Sequence, residues 1–282
     1  MEKNYNIARL MRDIQNDLIA NMKRNLTHHK LEEKEFQAVW QSWQSLSLMQ
    51  FEKYVKENQA IVNNYQPQLD AAVKHLIQKE YRQGSLAFEK AIGHNKLEVG
   101  WFSKNERKIN ALIKASQKDF NKATYSMLRT IDDDYRKICW NSSMYSAMGT
   151  KTTEQAVNLM IDELYKNGVK TITYKNGSKH SVDDYSRMCI RTTEKRAYLS
   201  GEGSKRDEYH EYLCKMSTHL HCCGACADWE GGIYVDDVFA SPSDEEINRL
   251  LDKGYTLLSD AIDGGAFHVS CRHTLSVYIE LD

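Results

Sequence analysis

Apolar residues return at steps of three and four through the first half of the chain. Ile7, Leu10, Met11, Ile14, Leu18, Met22 and Leu26 make one such row, which at 3.6 residues per turn is one face of an amphipathic helix. Phe36, Val39, Trp40, Trp43 and Leu46 make a second. Ile61, Tyr65, Leu69, Val73, Leu76 and Ile77 make a third, with Pro67 expected near an end or a kink because proline gives the helical ladder no N–H. The clearest row is the fourth: Ile109, Leu112, Ile113, Phe120, Met127, Ile131, Tyr135 and Ile138. Residues 1–150 therefore read as an all-helical region of long antiparallel helices. Tryptophan and methionine at this spacing belong to a core far more often than to a binding box, and no catalytic constellation falls in this half. His28 and His29 sit where a helix end is expected, capping carbonyls or facing water.

The pattern changes near residue 150. Thr152 or Thr153 can cap a short helix carrying Ala156, Val157, Met160, Ile161 and Leu164, and Gly168 can end it. Residues 169–174 read as a strand, and Asn176-Gly177 supplies the positive-φ pair of a hairpin turn. Ser181 and Asp184 stand at capping-box spacing before a helix expected to run towards Tyr198, with Gly201 and Gly203 breaking it. Short strands are expected at Tyr212–Ser217 and Gly231–Val235. Ser243 and Glu246 then open another helix, which Gly254 ends, and Gly264-Gly265 breaks the chain before His268. The fold class is thus α+β: a long-helix region, 1–150, followed by a small module of short strands, 151–282.

Composition narrows this picture. A formal net charge of −1 disfavours the broad phosphate affinity of a basic chain, without excluding a local basic face. No apolar run approaches the roughly 18 residues a membrane span needs. The N-terminal residues lack the pattern of a secretory signal, so a cytoplasmic start is expected. Of seven cysteines, four (Cys222, Cys223, Cys226, Cys271) fall in one stretch, which fits reduced or metal-bound thiols better than a disulfide framework.

That stretch, Ser217 to Leu275, concentrates the chemistry. Cys223-x-x-Cys226 is answered later by His268-x-x-Cys271-x-His273, a spacing that can bring two thiolates from one turn and two more ligands from another to a tetrahedral zinc. The preferred set is Cys223, Cys226, His268 and Cys271, with His273 and then His219 in reserve. Gly224 suits the bend of the knuckle, and Trp229 is expected to pack beneath it. Arg272 is placed to pair with Asp228 or Glu230, and Arg191 to form an ion pair within the module. A structural zinc and a reduced, metal-free thiol core predict the same pattern, and both readings stand at this point. An enzyme would need more. No His-x-Glu precedes the knuckle as in a zinc deaminase. Cys226 is not followed by the helix of a thiol oxidoreductase. A Cys226–His268 nucleophile pair remains the alternative among zinc- or thiol-dependent chemistries of this cluster.

Taken together, the motifs carry a resemblance. Tyr174-Lys-Asn-Gly177, Val182-x-x-Tyr185-x-x-Met188-x-x-Arg191-Thr192, Ser217-x-His219, Cys223-x-x-Cys226-x-x-Trp229-x-Gly231 and Phe267-His268-x-x-Cys271-Arg272-His273-Thr274 occur in that order. This resembles the minor capsid protein 2 family of tailed phages and prophages, related to the Mu F-like minor head proteins, over roughly residues 150–280. The chain departs at Val269-Ser270, where the family usually carries Pro-Asn or Pro-Gly, and at Glu230, often Gln. Many relatives lack a cysteine where Cys226 stands, so the resemblance does not require a metal. It implies a structural minor head protein with no catalytic residues. It implies association with the portal and with major capsid and scaffold proteins in the bacterial cytoplasm. The protein would then sit in the virion head, where contact with packaged DNA is a further expectation.

Overall fold

A computed structural model describes residues 6–33, 40–94, 97, 101–173, 179–220, 222–268 and 271–280. Phe36 and Val39 of the second apolar row, the Asn176-Gly177 turn, His221, and Val269-Ser270 lie outside the described residues. Four helices come first: α1 (Ile7–Glu33), α2 (Trp40–Ala91), α3 (Trp101–Ala147) and α4 (Thr153–Asn167). A two-stranded antiparallel pair, β1 (Lys170–Thr173) and β2 (Lys179–Ser181), leads into α5 (Val182–Tyr209). Then follow β3 (Leu213–Met216), β4 (Ile233–Val235), α6 (Asp244–Asp252), β5 (Thr256–Leu257), α7 (Leu258–Asp263) and β6 (Leu275–Val277). The expected α+β class is what the chain adopts: long helices first, a small sheet last. No described helix is long and apolar enough to cross a membrane.

The chain forms two compact units that are not contiguous in sequence, Met1–Ala72 with Gln117–Cys189, and Val73–Ser116 with Ile190–Asp282. In the first unit the apolar rows face inward as their spacing predicts. Ile7, Met11, Ile14, Leu18, Met22 and Leu26 of α1 are buried, as are Phe120, Met127, Ile131, Tyr135 and Ile138 of α3. Helix pairs run antiparallel here. Asp17 accepts from Tyr65 (2.6 Å) and Asn21 donates to Asn58 (2.9 Å), so residue numbers rise along α1 as they fall along α2. Tyr54 stacks on Tyr135 with ring centres 4.3 Å apart. Thr152 caps α4 in a full capping box with Gln155, and Gly168 ends it at φ 67°. Pro67 lies inside the 52-residue α2, not near an end. Its exposed position lets water satisfy the carbonyl that proline cannot reach, which is how the helix tolerates it.

In the second unit, α5 does not stop at Gly201 and Gly203 but continues to Tyr209. These glycines serve a close approach. A Cβ on Gly201 would lie 2.0 Å from the Tyr81 carbonyl oxygen of α2, and one on Gly84 would lie 1.9 Å from the Tyr198 carbonyl oxygen. Two backbones meet where neither residue has a side chain, and Ser85 Oγ donates across the crossing to the Gly201 carbonyl at 2.9 Å. The four-stranded sheet has the order β5-β4-β3-β6. β3 pairs antiparallel with both β4 and β6, and β4 pairs parallel with β5. One face of the sheet closes over Leu199, Cys214, Met216, Cys226, Tyr234, Leu258 and Leu275.

Candidate metal centre

The position of β3 between β4 and β6 brings two distant loops together. The β3–β4 connection carries Ser217 to Glu230, and the segment entering β6 carries His268 to His273. Ser217 N–H donates to the Thr274 carbonyl at 2.9 Å, and Thr274 N–H returns a bond to Ser217 Oγ at 3.0 Å. Each loop then closes a backbone bond three residues apart. Cys226 N–H donates to the Cys223 carbonyl at 3.0 Å, and Cys271 N–H to the His268 carbonyl at 2.9 Å. The first turn brings Cys223 and Cys226 together, and the second segment sets His268 against Cys223 and Cys271 against Cys226.

Three of the four preferred residues, Cys223, Cys226 and His268, have mutually close donor atoms, while Cys271 reaches Cys226 and falls in a second group with His273. Cys223 Sγ lies 2.9 Å from His268 Nε2, and Cys226 Sγ lies 3.7 Å from Cys271 Sγ. The donor atoms of Cys223, Cys226 and His268 all lie within 4.8 Å of one another, as do those of Cys226, Cys271 and His273. These groups could hold a metal ion. Tetrahedral zinc with Zn–S near 2.3 Å places two sulfurs about 3.8 Å apart, close to the Cys226–Cys271 spacing. The same geometry puts S and N about 3.5 Å apart, so the hydrogen-bonded Cys223–His268 pair would open slightly on binding.

The reserves join the same cluster. His273 is buried, with Nδ1 3.3 Å from Cys271 Sγ and Nε2 3.6 Å from Cys222 Sγ. Its ring meets that of His219 edge to face at 4.5 Å.

Electrostatics separates the thiols. The His268 hydrogen bond draws Cys223 down to about 7. Burial pushes Cys226 up to about 12, and burial with Glu230 alongside pushes Cys222 up to about 11. Metal binding reverses such shifts outright, because the thiolate is the ligand.

The supporting residues are only partly where the sequence suggests. Trp229 packs against the cluster core, and its ring fills the space over Gly264, where a Cβ would lie 2.1 Å from Cζ2. Tyr234 OH donates to the Trp229 carbonyl at 2.6 Å. Gly224 is not needed for the bend: it is not among the positive-φ glycines, and a Cβ there meets open space. Phe267 takes the left-handed conformation instead, at φ 53°, immediately before His268.

Asp228, Arg272 and Arg191 are exposed, and none of them forms an ion pair among the described residues. Arg191 and Arg272 instead line a cavity of about 1040 Å³ beside His268 and Cys271. Glu230 turns inward, accepting from the His219 N–H at 3.1 Å and facing His273 Nε2 at 3.3 Å.

Lys195 of α5 went unnoticed in the sequence. Its Nζ donates to the Cys271 carbonyl at 3.0 Å and also to the His273 carbonyl, holding the second loop. A lysine on a helix face carries no spacing signal that would have singled it out.

Long helices followed by a small sheet whose two loops meet in a Cys/His cluster define a helical protein with a thiol-rich clasp. Residues 2–281 match the phage minor capsid protein 2 family, and the chain belongs to it. A protein described as a structural protein of Lactococcus phage LL-H is 24% identical over 275 residues, 94% of this chain and 71% of that protein. No solved structure matches the chain. The family match takes in the helical half as well as the motif-bearing residues.

Proposed function

We propose that this chain is a structural minor capsid protein of a tailed phage or prophage, not an enzyme. It assembles with the portal and with the major capsid and scaffold proteins in the bacterial cytoplasm, and it remains in the virion head. The observation that carries this reading is the family match over residues 2–281, which leaves neither the helices nor the Cys/His module outside it. Residues 1–150 supply the long faces for partner contacts, and residues 151–282 form the clasped module. Contact with packaged DNA is secondary, since a net charge of −1 gives little general attraction for phosphate.

Within that role, Cys223, Cys226, His268 and Cys271 hold a structural zinc that ties the two loops of the sheet. The 3.7 Å Cys226–Cys271 spacing and the close donors of Cys223, Cys226 and His268 support it. A small sheet with strands of two to four residues gains stability from such a tie.

The test of assembly is co-expression with the portal, scaffold and major capsid proteins of the same phage, followed by mass spectrometry of purified procapsids and of portal pull-downs. Recovery of the folded chain in either is the expected result. Its absence from both, with the protein soluble and folded, overturns the assembly role.

A further inference from the structure

Beside the four residues assigned to the structural zinc lies a second set of donors. Cys222 Sγ, Glu230 Oε2 and His273 Nε2 lie within 4.8 Å of one another. His273 Nε2 stands 3.6 Å from Cys222 Sγ and 3.3 Å from Glu230 Oε2. Tetrahedral zinc bound by S, N and O sets the S–N edge at about 3.5 Å and the N–O edge at about 3.3 Å. Both separations already match, which is not true of the Cys223–His268 pair at 2.9 Å.

We propose that Cys222, Glu230 and His273 form a second transition-metal site, suited to zinc and distinct from the Cys223, Cys226, His268 and Cys271 set. Three features of the surroundings argue for it. His273 is 3% exposed, and its Nδ1 faces Cys271 at 3.3 Å. When Nδ1–H donates to that sulfur, the lone pair is on Nε2, which points at Cys222 and Glu230. This is how an outer hydrogen bond fixes a histidine ligand's tautomer.

Glu230 is held from the other side, because its Oε2 accepts the His219 backbone N–H and its own N–H donates to the Cys226 carbonyl at 3.0 Å. His219, whose ring lies 4.5 Å from that of His273, is the fourth ligand this site would draw on. His219 completes the shell by releasing its 3.3 Å contact with Ser217 Oγ.

The donor set also balances charge. Zn²⁺ with one thiolate, one carboxylate and neutral imidazoles is a neutral centre, and binding sends the Cys222 thiol proton to water. The two sites would share the Cys271–His273 contact, so the clasp would be two neighbouring metals joined through one hydrogen bond.

The experiment uses the full chain purified under reducing conditions. Its readouts are zinc content by elemental mass spectrometry and Co²⁺ titration followed by thiolate charge-transfer absorption. Wild type, Glu230→Gln, Cys222→Ser and Cys226→Ser are compared, with thermal melting as a folding control.

The expected result is two ions per chain in wild type. Glu230→Gln and Cys222→Ser each lose one and keep the other, and Cys226→Ser loses the structural zinc. One ion in wild type, kept unchanged by Glu230→Gln and lost in Cys226→Ser, overturns the second site and leaves the structural zinc standing. One ion lost in Glu230→Gln but kept in Cys226→Ser supports the second site and overturns the first. No ion in a folded wild-type chain overturns both.

Discussion

Arg206 on α5 and Asp236, just past β4, form an ion pair of 2.9 Å in which neither side chain has any exposed surface. Asp236 also accepts backbone N–H bonds from Phe239 at 2.8 Å and Val238 at 3.3 Å, so its carboxylate is well satisfied. The pair fastens α5 to the sheet that carries the Cys/His loops. Removing one partner would leave the other charged in an apolar setting, and such losses cost roughly 3–5 kcal/mol. Asp236→Ala is therefore expected to lower the unfolding free energy by about that amount, read by chemical denaturation. Replacing both with apolar residues of similar volume should cost much less.

Glu202, one turn before Arg206, gives the same region a pH dependence of unusual sign. Burial pushes its carboxyl up to about 7, with Arg206 at 3.6 Å pulling the other way. Burial likewise raises the neighbouring Asp236. A carboxyl with a raised folded pKa binds its proton more tightly when folded. Its contribution is fully present below the unfolded value near 4.5 and is lost as pH rises towards 7. A shift of this size corresponds to roughly 3 kcal/mol. Stability of the wild type should therefore fall between pH 4.5 and 7.5, and Glu202→Gln should flatten most of that slope. An unchanged slope in Glu202→Gln, measured by melting across this range, would show that another group titrates.

The crossing of α2 and α5 at Gly84 and Gly201 gives a third expectation. In an exposed helix, glycine to alanine gains about 1 kcal/mol of propensity. Here the new methyl would meet backbone carbonyls at 1.9 and 2.0 Å, which no rotamer change can relieve. Gly84→Ala and Gly201→Ala should each destabilise by about 2–4 kcal/mol, reversing the propensity gain. A neutral or stabilising result in urea would mean that the helices lie further apart than described.

These glycines also show where the sequence stops being legible. Local signals were read correctly where the cause is local. Ser181 accepts the Asp184 N–H at 3.1 Å and Ser243 the Glu246 N–H at 3.3 Å, as their spacing predicts. The apolar rows of α1 and α3 are buried because a 3.6-residue period leaves them no other face.

Gly201 and Gly203 were misread as a break because glycine's local propensity and its packing use look identical in one dimension. The place of Pro67 inside α2 has a related cause: its cost depends on whether water reaches the orphaned carbonyl, which is a tertiary fact. The site divides the same way. Cys-x-x-Cys and His-x-x-Cys announce themselves, and their convergence follows once β3 pairs with both β4 and β6. The inward turn of Glu230 and the reach of Lys195 depend on that convergence and have no signal of their own.

Lys195 provides the last test, because it holds a loop of the candidate metal site without supplying a ligand. Its ammonium donates to the Cys271 and His273 carbonyls and lies 5.0 Å from the centre of the Phe267 ring. Burial lowers its pKa, so the site holds this cation at an energetic cost that the two carbonyls offset. Phe267 is the residue in the left-handed conformation next to His268, and the lysine therefore braces the second loop at both ends of its turn. Outer groups that orient ligands typically change metal affinity about 10- to 100-fold when removed. Lys195→Met keeps the apolar stem and removes the donor. It should leave the helix folded and lower zinc retention against a competing chelator by about that factor. Wild-type retention in Lys195→Met would show that the turns hold their ligands unaided, and that the lysine serves packing alone.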